Sequence, residues 1–238
     1  MTILVISSFN VMKHYKLYGH EFMKGLSELQ NVTMACITVD DKHNMPHKIY
    51  KNISITQLSD AELDAFYEKY PKGKVKNYRK DGIRFAPKAF TIARAIQELS
   101  ESYDYIIWLD ADVKINKDWD DDFFENVLPK DEMVSALQRS KKHSETGFLA
   151  FNCKHKDLQA FANTYINLWT SMELLNFPEQ HDAYLFDVAI KKVQAPVRNL
   201  NKLNDHVHPF NYSYLGKYMD HLKGKRKKSG ESPEQYKG

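Results

Sequence analysis

Short apolar runs alternate with amphipathic stretches along the chain, and the spacing predicts strands alternating with helices. Ile3, Leu4, Val5 and Ile6 form a buried strand, followed by a turn-like stretch from Ser7 to Asn10. Tyr15, Tyr18, Phe22, Leu26 and Leu29 then recur at helical spacing. Residues 32–39 read as a second strand, and Ile53 and Ile55 mark a third. Ser59 with Glu62 three places on has the form of a capping box opening a short helix. Residues 71–82 are Lys/Gly-rich and aperiodic, which suits a mobile loop. Helical periodicity returns over 85–99 through Phe85, Ala89, Ile92, Ala93 and Ile96. The apolar run 105–109, bounded by acids, reads as a central parallel strand. Residues 133–137 and 147–151 predict two more strands, and 158–175 and 181–190 two helices. After Pro196 the pattern loosens. Alternation of this kind builds an α/β sheet from βαβ units, and neither a repeat nor a linker divides it.

Composition refines this picture little. With 238 residues, 42% hydrophobic and 13% aromatic, the chain can fill one sizeable core. A net charge of +3 does not mark a nucleic-acid binder, but Lys223, Lys225, Arg226, Lys227 and Lys228 gather positive charge in one segment. Cys36 and Cys153 lack metal-ligand spacing and read as core thiols of a reducing compartment. The first apolar run is too short for a signal-peptide core, and no stretch approaches the ~18 apolar residues of a membrane span. A cytoplasmic location is expected.

The chemistry begins at Asp110 and Asp112, directly after the central strand. Ligands of open α/β sheets bind at the C-terminal strand edge, and residues i and i+2 of an extended segment point the same way. Both carboxylates can therefore reach one hard divalent ion that keeps sites for phosphate oxygens. An EF-hand loop fails: counted from Asp110 its sixth residue is Ile115, and from Asn116 the sixth is Asp121 and the twelfth Val127. A haloacid-dehalogenase-like phosphohydrolase with Asp110 as nucleophile is the rival enzyme, although that motif usually opens a chain. A polyanion-binding module working through the basic segment is the non-enzymatic rival.

His221, Gly224 and Lys227 form a His-x-x-Gly-x-x-Lys motif. With Asp110-x-Asp112 it resembles retaining glycosyltransferases of the glycogenin and lipopolysaccharide-galactosyltransferase type. SSFN at 7–10, Tyr18-Gly19, Arg84 to Lys88, WLDAD at 108–112, ETGF at 145–148, His181-Asp182 and DHLKG at 220–224 extend the likeness to uncharacterised bacterial and viral glycosyltransferases. The resemblance implies a GT-A (nucleotide-diphospho-sugar transferase) fold, α/β with a single Rossmann-like, mixed, mostly parallel sheet flanked by helices. It also implies a domain over 1–224 and a flexible basic tail over 225–238. His221 would complete a Mn2+ or Mg2+ site with the two aspartates, Gly224 would permit close approach, and Lys227 would bind the diphosphate. The family follows its Lys with Pro-Trp, whereas Lys228-Ser229 follow here, so Lys225 and Arg226 remain alternative contacts.

The same resemblance distributes further roles. Ser7, Ser8 and Phe9 would seat the nucleoside of a nucleotide-sugar, a UDP-sugar first of all, beside Ala111 of the acidic motif. Arg84 and Lys88, four apart on one helix face, would hold the donor. Glu145, His181 and Asp182 would serve the reacting sugar and a carbohydrate or other hydroxyl acceptor. In an inverting reaction Asp182 or Glu145 is the natural base; in a retaining one, toward which the motif leans, the leaving oxygen takes the proton. A zinc-type HD phosphohydrolase would need further His and Asp ligands on neighbouring helices. His206 and His208 receive no role.

Overall fold

The computed structural model describes residues 1–45, 50–71, 77–202 and 208–233. Residues 72–76 of the mobile loop expected at 71–82, His206 and the last five residues of the basic tail lie outside the described residues. Seven strands form the main sheet: β1 (Ile3–Phe9), β2 (Met34–Val39), β3 (Ile53–Gln57), β4 (Tyr105–Leu109), β6 (Val134–Leu137), β7 (Glu145–Asn152) and β8 (Val197–Asn199). Their order is β3-β2-β1-β4-β7-β6-β8. β1 to β4 are mutually parallel, β7 runs antiparallel to both β4 and β6, and β8 lies parallel to β6. A second sheet pairs β5 (Val113–Ile115) with β9 (Met219–His221). The helices are α1 (Val11–His14), α2 (His20–Glu28), α3 (Ala61–Lys69), α4 (Gly82–Leu99), α5 (Asp121–Val127), α6 (Leu158–Thr170), α7 (Asp182–Val193), α8 (Pro209–Tyr212) and α9 (Arg226–Ser229). Among the described residues no helix is long and apolar enough to cross a membrane.

Strand alternation builds two cores. Ile3, Val5, Ile107 and Leu109 face Phe22, Met23, Phe123 and Phe148 on one side. Leu4, Ile6, Ile106 and Trp108 face Phe90, Phe161 and Trp169 on the other. Because both faces are covered, the central strands read as unbroken apolar runs. Cys36 and Cys153 are free and half-buried, and burial pushes the Cys153 thiol up to about 12.

Several elements differ from the periodic reading. β1 continues through Ser7, Ser8 and Phe9, so these residues are strand, not turn. The first helical stretch is interrupted by a π-helical turn, Tyr15–Gly19, whose last residue sits against the Phe9 ring. The helix expected over 158–175 ends at Thr170, and Met172 takes a left-handed φ of 62° before a 3-10 turn. β8 was hidden because a short half-buried strand carries too few positions to show a period.

Ser59 does not cap α3; Asp60 does, accepting from Glu62 N at 2.9 Å and Leu63 N at 3.1 Å. The same carboxylate accepts from Arg94 Nε at 2.6 Å, tying α3 to α4. Burial works against the charge, but Arg94 and the two amides outweigh it and hold the Asp60 carboxyl below its ordinary range. Its contribution is thus complete above the ordinary carboxylate pKa and is lost as pH falls through the depressed value. Asp60→Ala should cost about 2 kcal/mol at neutral pH, a Tm fall of about 4–8 °C. The gap to the wild type should narrow in acid, which thermal melts across pH will show.

Candidate active site

β4 ends at Leu109 because the chain there turns out of the sheet, with Asp110 N donating to Gly147 O and Val113 N closing back on Asp110 O. The next residues form β5, whose partner β9 comes from more than a hundred residues later. That register sets Val113 opposite His221, and Leu222 N donates to Asp112 O at 3.0 Å. The small sheet is therefore the device that carries His221 to the aspartates. Its Nε2 lies 3.1 Å from Asp112 Oδ1 and 3.7 Å from Asp110 Oδ2.

The residues fit a divalent ion. One ligand atom from each of Asp110, Asp112 and His221 lies within 4.8 Å of the others. On its far side, His221 Nδ1 faces Glu145 Oε1 at 3.6 Å. Metal-bound histidines characteristically turn their second nitrogen to a carboxylate in this way. The ring is almost fully enclosed, 2% exposed, beside Phe210 at a centroid distance of 5.1 Å. Asn211 Oδ1 accepts from the His221 backbone N–H.

Gly147 supplies the room for this ring. A Cβ there would lie 2.4 Å from His221 Cε1, 2.6 Å from Nδ1 and 3.0 Å from Glu145 Oε1. Since the imidazole is enclosed on every side, Gly147→Ala must displace it. The variant should fold and yet lose about tenfold or more in Mn2+ affinity, as misplacing a ligand's support does. Calorimetry with Mn2+ alone will measure it.

Lys88 forms the second node. From the middle of α4 its Nζ donates to Asp110 Oδ1 at 2.8 Å and to Thr146 O and Oγ1 at 2.7 and 3.1 Å. It also pairs with Asp182 Oδ2 at 2.9 Å, although its side chain is only 11% exposed. Burial opposes the ammonium, but Asp110 and Asp182 outweigh it and raise its pKa. Burial likewise works against the Asp182 carboxylate, and Lys88, His181 and Thr146 overcome it to lower its pKa. Trp108 Nε1 donates to Asp110 Oδ1 at 2.7 Å, adding a contact that an apolar strand residue does not announce.

The basic segment folds onto the same place. Lys227 Nζ pairs with Asp112 Oδ2 at 2.7 Å and lies 4.8 Å from the centre of the Tyr18 ring, which stacks on His14. Lys223 pairs with Glu145. Between them Gly224 has φ 62°, a left-handed conformation that suits glycine. Burial disfavours the charges of Asp112 and Glu145, but His221 with Lys227, and Lys223 with His221, outweigh it and hold both carboxyls far below their usual range.

Other expected residues sit differently. Ser7 is buried, its Oγ donating to Leu109 O at 2.6 Å, and so joins β1 to β4. Phe9 and Ala111 are buried in the core on the β1 side. Ser8 pairs in register with Thr38 at the end of β1. Arg84 is exposed, with its guanidinium over the Phe85 ring. His181 points away from Asp110: it caps α7, accepting from Tyr184 N, and its Nε2 meets Glu179 Oε2 at 2.6 Å. Asp182 is the first residue of α7. Tyr18, Trp108, Thr146 and Lys223 belong to the site without having been singled out individually. Only the WLDAD, ETGF, Tyr-Gly and basic-run patterns around them gave a signal.

No protein-family model and no curated protein matches the sequence. Similarity appears among solved structures. The glycosyltransferase GlyE of Streptococcus pneumoniae TIGR4 matches with a TM-score of 0.54 and 15% identity, over 84% of this chain and 45% of GlyE. This chain thus spans less than half of the GlyE chain. A glycosyltransferase involved in glycosylation of the major capsid of PBCV-1 matches with a TM-score of 0.54 and 13% identity, over 96% of this chain and 98% of that one. With its mixed, mostly parallel sheet flanked by helices, the chain has the GT-A-like fold of these glycosyltransferases.

Proposed function

We propose that the chain transfers a sugar from a nucleoside-diphosphate donor, a UDP-sugar first of all, to a hydroxyl acceptor, with Mn2+ or Mg2+ held by Asp110, Asp112 and His221. The observation that carries this reading is the convergence of two carboxylates, one imidazole and the Lys227 ammonium at the C-terminal end of β4. Asp110, Asp112 and His221 would hold the ion, whose positive charge would offset the charge of the leaving diphosphate. Lys227 adds a second positive charge that can turn from Asp112 to a phosphate oxygen, and Gly224 lets the backbone approach. Tyr18, beside Lys227, offers an aromatic face for the nucleoside, and Arg84 projects from the α4 side.

Glu145 and Asp182 divide the remaining work. Glu145 is committed to Lys223, Gly147 N and His221, so its role is to orient the imidazole. Asp182 is committed to Lys88 and Thr146, with His181 Nδ1 3.9 Å behind it. A carboxylate whose pKa is lowered by such partners is a weak base. This supports the retaining course, in which the leaving oxygen accepts the acceptor's proton. The phosphohydrolase reading uses Asp110 alone as nucleophile and gives no part to His221 and Lys227, whereas both converge on the Asp110–Asp112 pair. The polyanion-module reading gives the convergence of Asp110, Asp112 and His221 no use.

The test is calorimetry of UDP with and without Mn2+, followed by anomeric analysis of product from a panel of nucleotide-sugars. UDP binding that is tight only with metal is expected. UDP binding indifferent to metal would overturn the assignment.

A further inference from the structure

A second group of ligating side chains stands apart from the aspartates. His143, in the segment joining β6 to β7, and Glu179 and His181, just before α7, offer ligand atoms within 4.8 Å of one another. His181 Nε2 lies 2.6 Å and His143 Nε2 3.8 Å from the same atom, Glu179 Oε2. The two rings are edge to face with centroids 4.4 Å apart. The side chains are 22% (His143), 19% (Glu179) and 4% (His181) exposed, so the cluster is walled by protein and open on one side.

Arg79 Nη1 takes the other oxygen, Glu179 Oε1, at 3.0 Å. His143 Nδ1 lies between Ser144 O at 3.1 Å and Arg139 Nη2 at 3.3 Å, and the shorter contact, with the proton on Nδ1, is the one that turns the Nε2 lone pair toward Glu179. His181 Nδ1 accepts from Tyr184 N only at 3.4 Å and lies 3.9 Å from Asp182 Oδ1, so ligation through Nε2 would exchange the long cap bond for an Nδ1–H turned to that carboxylate. At 3.8 Å, His143 Nε2 is too far from Glu179 Oε2 for a hydrogen bond, and the space between the three groups suits a cation.

We propose that His143, Glu179 and His181 form a zinc-class metal site separate from Asp110, Asp112 and His221. Two imidazoles and one carboxylate are a three-residue set that leaves a fourth tetrahedral position open. The nitrogen-rich donors favour Zn2+ or Co2+, while the aspartate site, richer in oxygen, favours Mn2+ or Mg2+. The open side meets a groove of about 630 Å³ that His143 itself lines together with Lys142, Tyr184 and Asp187. An ion here would link the β6–β7 segment to the start of α7, where Asp182 meets Lys88. It would therefore brace the acceptor-side carboxylate from behind.

The test uses the full chain stripped with a chelator and carrying Asp112→Asn and His221→Gln, so that the first site is silent. Titration with Co2+ alone should give one equivalent of ion with visible ligand-field absorption, displaced by Zn2+ and not by Mg2+. Adding His143→Gln should weaken this binding at least about 100-fold, the upper end of what losing a mere outer-shell partner costs. His143 and Glu179 are not core residues, so Glu179→Gln gives the same reading should His143→Gln melt early without metal. Absence of the cobalt band, or unchanged Co2+ affinity in both glutamine variants, overturns the site. Because the aspartate site is disabled throughout, that failure would leave the glycosyl-transfer reading standing.

Discussion

Asp112→Asn is expected to lower metal-dependent UDP binding and sugar transfer by about 100- to 1,000-fold, the scale of one lost electrostatic partner in a catalytic site. The shape of the side chain is kept, and only the charge that draws His221 and Lys227 is removed. Stability should change little, because Lys227 is partly exposed and its ammonium can return to water. Lys227→Met separates the ion from the nucleotide. It removes the ammonium that pairs with Asp112, so Mn2+ alone should bind more tightly while UDP with Mn2+ binds more weakly. Calorimetry of Mn2+ alone and of UDP at saturating Mn2+ measures both signs. Equal metal-dependent affinity in the wild type and Asp112→Asn would remove the aspartate from the site.

The two halves of this site differed in how openly the chain displayed them. Asp110 and Asp112 follow an apolar strand, and the position of such a pair at a sheet edge is a local property. His221 was marked by its spacing to Gly224 and Lys227, but the pairing of Val113 with His221 is a tertiary fact. Periodicity places an element without fixing its neighbour or register, so the route from β9 to Asp112 was not legible. The same limit hid Lys223 on Glu145 and the Trp108 indole on Asp110. His181 was named with Glu145 and Asp182 for the reacting sugar, and the start of α7 turns His181 and Asp182 to different partners. Caps are decided by backbone geometry, and neighbouring polar residues compete for them: Asp60 displaced Ser59.

Lys88→Met tests a buried charge shared by two carboxylates. The ammonium satisfies Asp110, Asp182 and Thr146 together, and its removal leaves Asp182 buried with Thr146 Oγ1 as its remaining side-chain donor. Breaking a buried pair from one side costs about 3–5 kcal/mol, a Tm fall on the order of 10 °C. The pH dependence carries a sign. In the wild type the Asp182 pKa is depressed, so its stability contribution is present above the ordinary carboxylate range and is lost as pH falls through the depressed value. In the variant burial acts on Asp182 without its lysine and pushes the pKa up, so stability is lost as pH rises through that range. The deficit should therefore be small in acid and widen toward neutrality. Asp182→Asn in the Lys88→Met background removes the stranded charge and should recover stability, whereas Asp182→Asn alone should destabilise. A double-mutant cycle of thermal melts at acid and neutral pH reads the coupling directly. A deficit that does not change with pH would show that Lys88 acts through packing, not through its charge.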